Sequence, residues 1–203
     1  MAKKYQSRRS SGTSNSNAVV VLSIVVAFSV ILAIVIAVSN NGGGSGGGAA
    51  SGIPQENLVQ SYKSQLQSNP KDISVRTNLG HAYFEQGIYL YGKNDPRSAE
   101  KLNLAIAEYL QVIKENPKDK AVLGNMAVCY FYTNRTEDAL REGKKALEID
   151  PEFAPALMNY AIFLNSKGEG AEAIKYIEKI KPTAPNYGQA QKLLQDIKKT
   201  IPK

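Results

Sequence analysis

Apolar positions along the chain fall into two regimes. Residues 18–38 (AVVVLSIVVAFSVILAIVIAV) are an unbroken apolar run with no charge, proline or glycine. From Ile53 onward the apolar residues instead recur every three to four positions, the period of a one-sided helix. As a helix the first run is roughly 31 Å long, which matches the hydrocarbon core of a bilayer. Its valines and isoleucines favour a strand in water, but a lone segment in lipid satisfies its backbone only as a helix. The run therefore predicts a transmembrane anchor. A cleaved signal peptide is the alternative, because Ala37-Val38-Ser39 resembles a cleavage site, although the run exceeds the roughly 7–15 residues of a signal core.

In the second regime, four ladders of four-residue spacing each run toward a proline. They are Leu58, Tyr62, Leu66 before Pro70; Ala105, Tyr109, Ile113 before Pro117; Ala139, Gly143, Leu147 before Pro151; and Ala173, Ile177, Lys181 before Pro185. Proline lacks the N–H donor and restricts its predecessor, so each should close a helix. The last three prolines lie 34 residues apart, and the first gap is 47. A different helix precedes each later ladder, marked by Leu79-Gly80 with Tyr83, Met126-Ala127 with Tyr130, and Tyr160-Ala161 with Leu164. Turn signals separate the helices at Gln86-Gly87, Thr133-Asn134 and Lys167-Gly168-Glu169-Gly170. Thr136 is placed to cap its helix, with Glu137 and Asp138 in the favourable first turn.

A 34-residue unit with a large–small pair, an aromatic one turn later, an alanine opening the second helix and a terminal proline resembles the tetratricopeptide repeat. The resemblance covers about residues 73–185. Arg76 in an apolar register, Gly143 in place of an aromatic, and Lys181 at the end of the last ladder depart from the pattern; the hallmark glycine survives only at Gly80. The expected fold class is all-α, a tetratricopeptide-type solenoid of helical hairpins preceded by a single transmembrane helix. The expected organisation is a basic tail over 1–17, the anchor over 18–38, a glycine-serine linker over 39–53 and the solenoid over 54–201. Within the solenoid come a lone helix at 54–69, repeats at about 73–118, 119–152 and 153–186, and a capping helix at 187–201 with Ala190, Leu193, Leu194 and Ile197 on one face. The 13 surplus residues of the first repeat fall within 88–102, where Asp95-Pro96 reads as a helix start, so both helices of that hairpin should be longer and project Tyr89 and Tyr91.

Charge adds orientation rather than chemistry. Lys3, Lys4, Arg8 and Arg9 precede the apolar run, and no charge follows until Glu56. The basic flank stays cytoplasmic, which puts the repeats on the extracytoplasmic side of a single-pass cell-membrane protein. Taking those four charges from the formal net of +7 leaves +3, too little for a nucleic-acid surface. The linker NGGGSGGGAASG spans roughly 20 Å as a flexible coil and tethers the repeats without orienting them.

Candidate chemistry is sparse. One histidine, His81, and one cysteine, Cys129, rule out a four-ligand zinc site and an internal disulfide. No cofactor motif is present. A thiol or hydrolytic enzyme using Cys129 with His81 is the alternative of a different class. The resemblance implies binding instead: first helices of such stacks line a concave groove. The residues in that register are Thr77, His81 and Phe84; Gly124, Val128 and Phe131; and Met158, Ile162 and Asn165. Asn78, Asn125 and Asn159 recur in phase beside them. The expected peptide-binding groove comprises Asn78, His81, Phe84, Asn125, Val128, Phe131, Tyr132, Met158, Asn159 and Ile162. Chaperone-binding members clamp a terminal carboxylate with lysine, arginine and asparagine, and only Asn125 matches that set. The expected partners are a polypeptide and, through the anchor, the bilayer. The expected function is a non-enzymatic scaffold at the cell envelope, or else a chaperone-like holder of exported chains at a translocon or cytochrome-maturation complex.

Overall fold

The computed structural model describes residues 53–201, and the apolar run over 18–38 lies outside them. Among the described residues no helix is long and apolar enough to cross a membrane. Eight helices follow one another among the described residues: α1 Glu56–Ser68, α2 Ile73–Gly92, α3 Arg97–Glu115, α4 Lys120–Tyr132, α5 Thr136–Ile149, α6 Ala154–Ser166, α7 Gly170–Ile177 and α8 Tyr187–Thr200. Hairpins α2/α3, α4/α5 and α6/α7 stack in order, each second helix also touching the next first helix. α1 packs on α2, and α8 on α7.

Composition explains which helices lie inside. α4 and α6 are apolar around most of their circumference, because neighbours surround them. α3 and α5 bury one stripe and expose the rest. Tyr109, Phe163, Leu102, Leu123, Met126 and Leu157 are among the largest fully buried side chains.

The three hairpins turn by one device. Asn94, Asn134 and Gly168 each stand two residues past a first helix with positive φ, at 54°, 61° and 88°. The next amide then donates five positions back: Asp95 to Leu90 at 2.9 Å, Arg135 to Tyr130 at 2.8 Å and Glu169 to Leu164 at 2.9 Å. This left-handed cap satisfies carbonyls that the helix end leaves open. Starts are capped too. Asp72 accepts from the Val75 amide, and Asp119 from those of Ala121 and Val122.

Three details differ from the sequence reading. Gln86 and Gly87 are not a turn; they lie inside α2, which runs 20 residues where α4 has 13. Gly87 is the point where α3 comes closest, and Ser98 Oγ donates to its carbonyl at 2.9 Å. Thr136 makes no cap hydrogen bond. Lys181 lies beyond α7, which stops at Ile177, and Ile180 takes the buried place. Pro182 is the reason, since it forbids a helical Lys181 and removes the next donor.

The departures from the repeat pattern have local explanations. Arg76 sends Nη1 to Glu108 at 2.7 Å and Nη2 to the Pro70 carbonyl at 2.7 Å, tying α2 to α3 and to the preceding loop. At Gly143 the space of the missing aromatic is filled from the next repeat: a Cβ there would lie 3.1 Å from Tyr160 and 3.8 Å from Phe163.

Candidate functional site

Because each first helix packs on the previous one, α2, α4 and α6 form a continuous layer. Residues at offsets of four and seven along each helix share one face of it. The structure divides the ten expected groove residues into two groups. Asn78, His81, Phe84, Asn125, Phe131 and Asn159 keep exposed or half-exposed surface. Val128, Tyr132, Met158 and Ile162 are buried, at 2%, 9%, 8% and 4% exposure, and support that face from below.

The phased asparagines separate in the same way. Asn125 Nδ2 points to His81 Nδ1 at 3.4 Å, and the Tyr109 hydroxyl meets the same nitrogen at 2.7 Å. Nδ1 accepts both when the imidazole proton sits on Nε2. The His81 and Tyr109 rings meet edge to face with centroids 5.5 Å apart. One polar knot thus joins α2, α3 and α4. Asn78 and Asn159 make no side-chain hydrogen bond with another described residue, so their carboxamides remain available. A row of aromatic rings crosses the layer. Tyr91 meets Tyr132 at 4.5 Å, Tyr132 meets Phe131 at 5.7 Å, and Phe131 stacks on Phe163 at 4.8 Å. The lengthened α2 therefore does more than project: its Tyr91 locks onto the end of α4.

Burial lowers the His81 pKa, partly opposed by the Asp119 carboxylate. The folded state therefore prefers neutral imidazole, and its contribution is complete above the ordinary value of about 6.5. As pH falls through that value the unfolded chain takes up a proton that the folded chain resists. Acidification from pH 7.5 to 5 should lower the melting temperature more for the native protein than for His81→Gln, as followed by helical circular dichroism. The comparison cancels Glu85, whose carboxyl is raised by burial and acts with the opposite sign. Identical pH profiles would contradict the assignment.

Cys129 is fully buried in α4, and burial pushes its thiol pKa up, away from the reactive thiolate. The hydrogen-bond partners of the His81 imidazole are Tyr109 and Asn125, so the geometry does not assemble a Cys–His pair. Among the described residues no cluster of metal-ligating side chains forms. What the layer offers is shape, aromatic surface and carboxamides.

The family model described as tetratricopeptide repeat matches residues 134–197. The chain is 33% identical over 76 residues to Hsp70-Hsp90 organizing protein 2 of Arabidopsis thaliana, which covers 37% of this chain and 12% of that protein. It is 31% identical over 103 residues to photosystem I assembly protein Ycf3 of Synechococcus sp. strain WH7803, covering 49% and 56%. Matches to the organizing proteins of Arabidopsis, Triticum aestivum and Glycine max span 12%, 10% and 18% of their lengths, so the chain corresponds to a small part of each. The crystal structure of MamA shares the fold with a TM-score of 0.53 at 18% identity, covering 70% of this chain and 85% of that one. Residues 53–201 are thus an all-α stack of helical hairpins that shares its fold with MamA, and within it residues 134–197 match the tetratricopeptide repeat.

Proposed function

We propose that this protein is a membrane-anchored adaptor that holds an extended segment of another polypeptide against the face formed by α2, α4 and α6. The observation that carries the reading is that face itself. Half-exposed Phe84 and Phe131 lie on it with the unpaired carboxamides of Asn78 and Asn159. A carboxamide both donates and accepts, so a row of them suits a peptide backbone, while the rings supply affinity by burial. Two relatives are named an Hsp70-Hsp90 organizing protein and a photosystem I assembly protein, which supports an adaptor or assembly role. The first helices offer no free lysine or arginine for a carboxylate clamp, because Arg76 and Lys120 are paired with Glu108 and Asp150.

The anchor rests on the uncharged 21-residue run over 18–38 and its basic flank. It places the repeats outside the cytoplasm, within reach of exported chains and envelope assemblies. Carbonate extraction should leave the protein in the membrane pellet, and protease added to intact cells should remove the repeats. A soluble product, or repeats protected inside, would contradict the anchor and leave the binding face untouched.

Asn125 is a poor probe of binding because its loss opens the His81–Tyr109 knot. Phe84→Ala, Asn78→Ala and Asn159→Ala are cleaner. Phe84→Ala should weaken capture of the partner about tenfold or more, as expected for an aromatic anchor. All three should melt within a few degrees of the native chain. Unchanged capture by the triple variant, at matched folded protein, would overturn the groove reading.

A further inference from the structure

The helices of the binding face carry few charges, and all but one are neutralised. α6 has none, α4 has Lys120, and α2 has Arg76 and Glu85 beside His81. Arg76 pairs with Glu108 of α3 at 2.7 Å, and Lys120 pairs with Asp150 beyond α5. Glu85 alone has neither an ion pair nor a side-chain hydrogen bond among the described residues. It lies one turn after His81 and two turns after Asn78, along one edge of the face, while Phe84 and Tyr91 follow the neighbouring edge.

Among the described residues no positive charge pairs with it. The side chain is half-buried, and burial alone raises its carboxyl pKa. His81, one turn away, is held toward its neutral form. The other charge acting on this knot is the Asp119 carboxylate at the start of α4, also negative. A half-desolvated carboxylate without a counter-charge costs free energy that an incoming cation would recover. An incoming terminal carboxylate would meet repulsion instead.

We infer that the face selects a basic polypeptide segment, with one lysine or arginine seated against Glu85 and flanking apolar residues on Phe84 and Phe131. The inference rests on the groove reading and adds the charge of the occupant. Aromatic rings beside the carboxylate suit either cation, since a guanidinium or ammonium also interacts with ring faces.

The test is selection of a phage-displayed dodecapeptide library on the full chain in mild detergent, in parallel on native protein and on Glu85→Gln. Glutamine keeps the shape and removes the charge at a half-exposed position. Native protein should retain peptides enriched roughly five- to tenfold in lysine or arginine at a single position, the range for a partly desolvated charge pair. That enrichment should vanish on Glu85→Gln while the apolar preference stays. On the unaltered chain, a selected arginine peptide should bind about tenfold tighter than its glutamine analogue at low salt, with the gap closing as salt screens the pair. Retained peptides without basic enrichment, or enrichment that survives Glu85→Gln, would overturn the inference; if Phe84→Ala abolishes their binding, the groove reading stands. Retention of no peptide by the native chain would overturn both.

Discussion

Replacing Tyr109 with alanine is expected to destabilise the repeats by about 3–5 kcal/mol, the range for deleting a fully buried aromatic side chain. Tyr109 is among the largest fully buried residues, and its ring fills the space that Gly80 leaves open. A Cβ at Gly80 would lie 2.7 Å from that ring, so helix and ring are matched in shape. Removal leaves a cavity that α2 and α3 cannot freely close, because the Arg76–Glu108 pair beside it holds the two helices in place. Tyr109→Phe keeps the ring and removes the hydroxyl facing His81 Nδ1 at 2.7 Å; it should cost about 1–2 kcal/mol. Leu110→Ala, next along α3 but 48% exposed, should change stability by less than about 0.5 kcal/mol. Urea midpoints followed by helical circular dichroism measure all three. A Tyr109→Ala midpoint equal to that of Leu110→Ala would contradict the packing described.

Gly87→Val should be nearly as damaging, at roughly 2–3 kcal/mol through overpacking. A Cβ there would stand 2.6 Å from Leu102 Cγ and Cδ2 and 3.2 Å from the Leu102 backbone nitrogen. The side chain has rotamers to try, but the backbone of α3 does not, so the helices must separate. That breaks the bond from Ser98 to the Gly87 carbonyl and frees the long part of the hairpin. Amide exchange should accelerate within 88–102 before it does elsewhere. Gly124→Ala is the counterpart, because its Cβ would meet Phe153 at an ordinary 3.9 Å. There the lower chain entropy of alanine should raise stability by roughly 0.5–1 kcal/mol. If both substitutions had the same sign, the close approach at Gly87 would be wrong.

The helix phasing was legible because its signals are local. Proline positions and four-residue ladders depend on neighbours within a turn, and Pro70, Pro117 and Pro151 each follow a helix end. Pro182 carries the same signal but stands outside the 34-residue spacing, which Pro185 keeps. Gly87 was misread as a turn because the other repeats turn near that register; its partner Leu102 is 15 residues away and invisible to a local reading. The asparagine row shows the same boundary. Asn78, Asn125 and Asn159 share a register, yet only Asn125 turns inward, because His81 and Tyr109 arrive there from two other helices. The burial of Val128, Met158 and Ile162 likewise follows from neighbouring first helices. Glu85 carries no local signal, because its isolation depends on Arg76 and Lys120 finding partners outside the first helices.

The account turns on which side of the stack holds the partner. A photo-crosslinking amino acid placed at Phe84 or Asn159 probes the first-helix face, and one at Leu110 or Ile149 probes exposed positions of second helices. Irradiation of living cells producing each variant, with products compared by size and mass spectrometry, reads the contact directly. The account predicts a shared discrete product from Phe84 and Asn159 and none from Leu110 or Ile149. Products confined to Leu110 and Ile149 would contradict it.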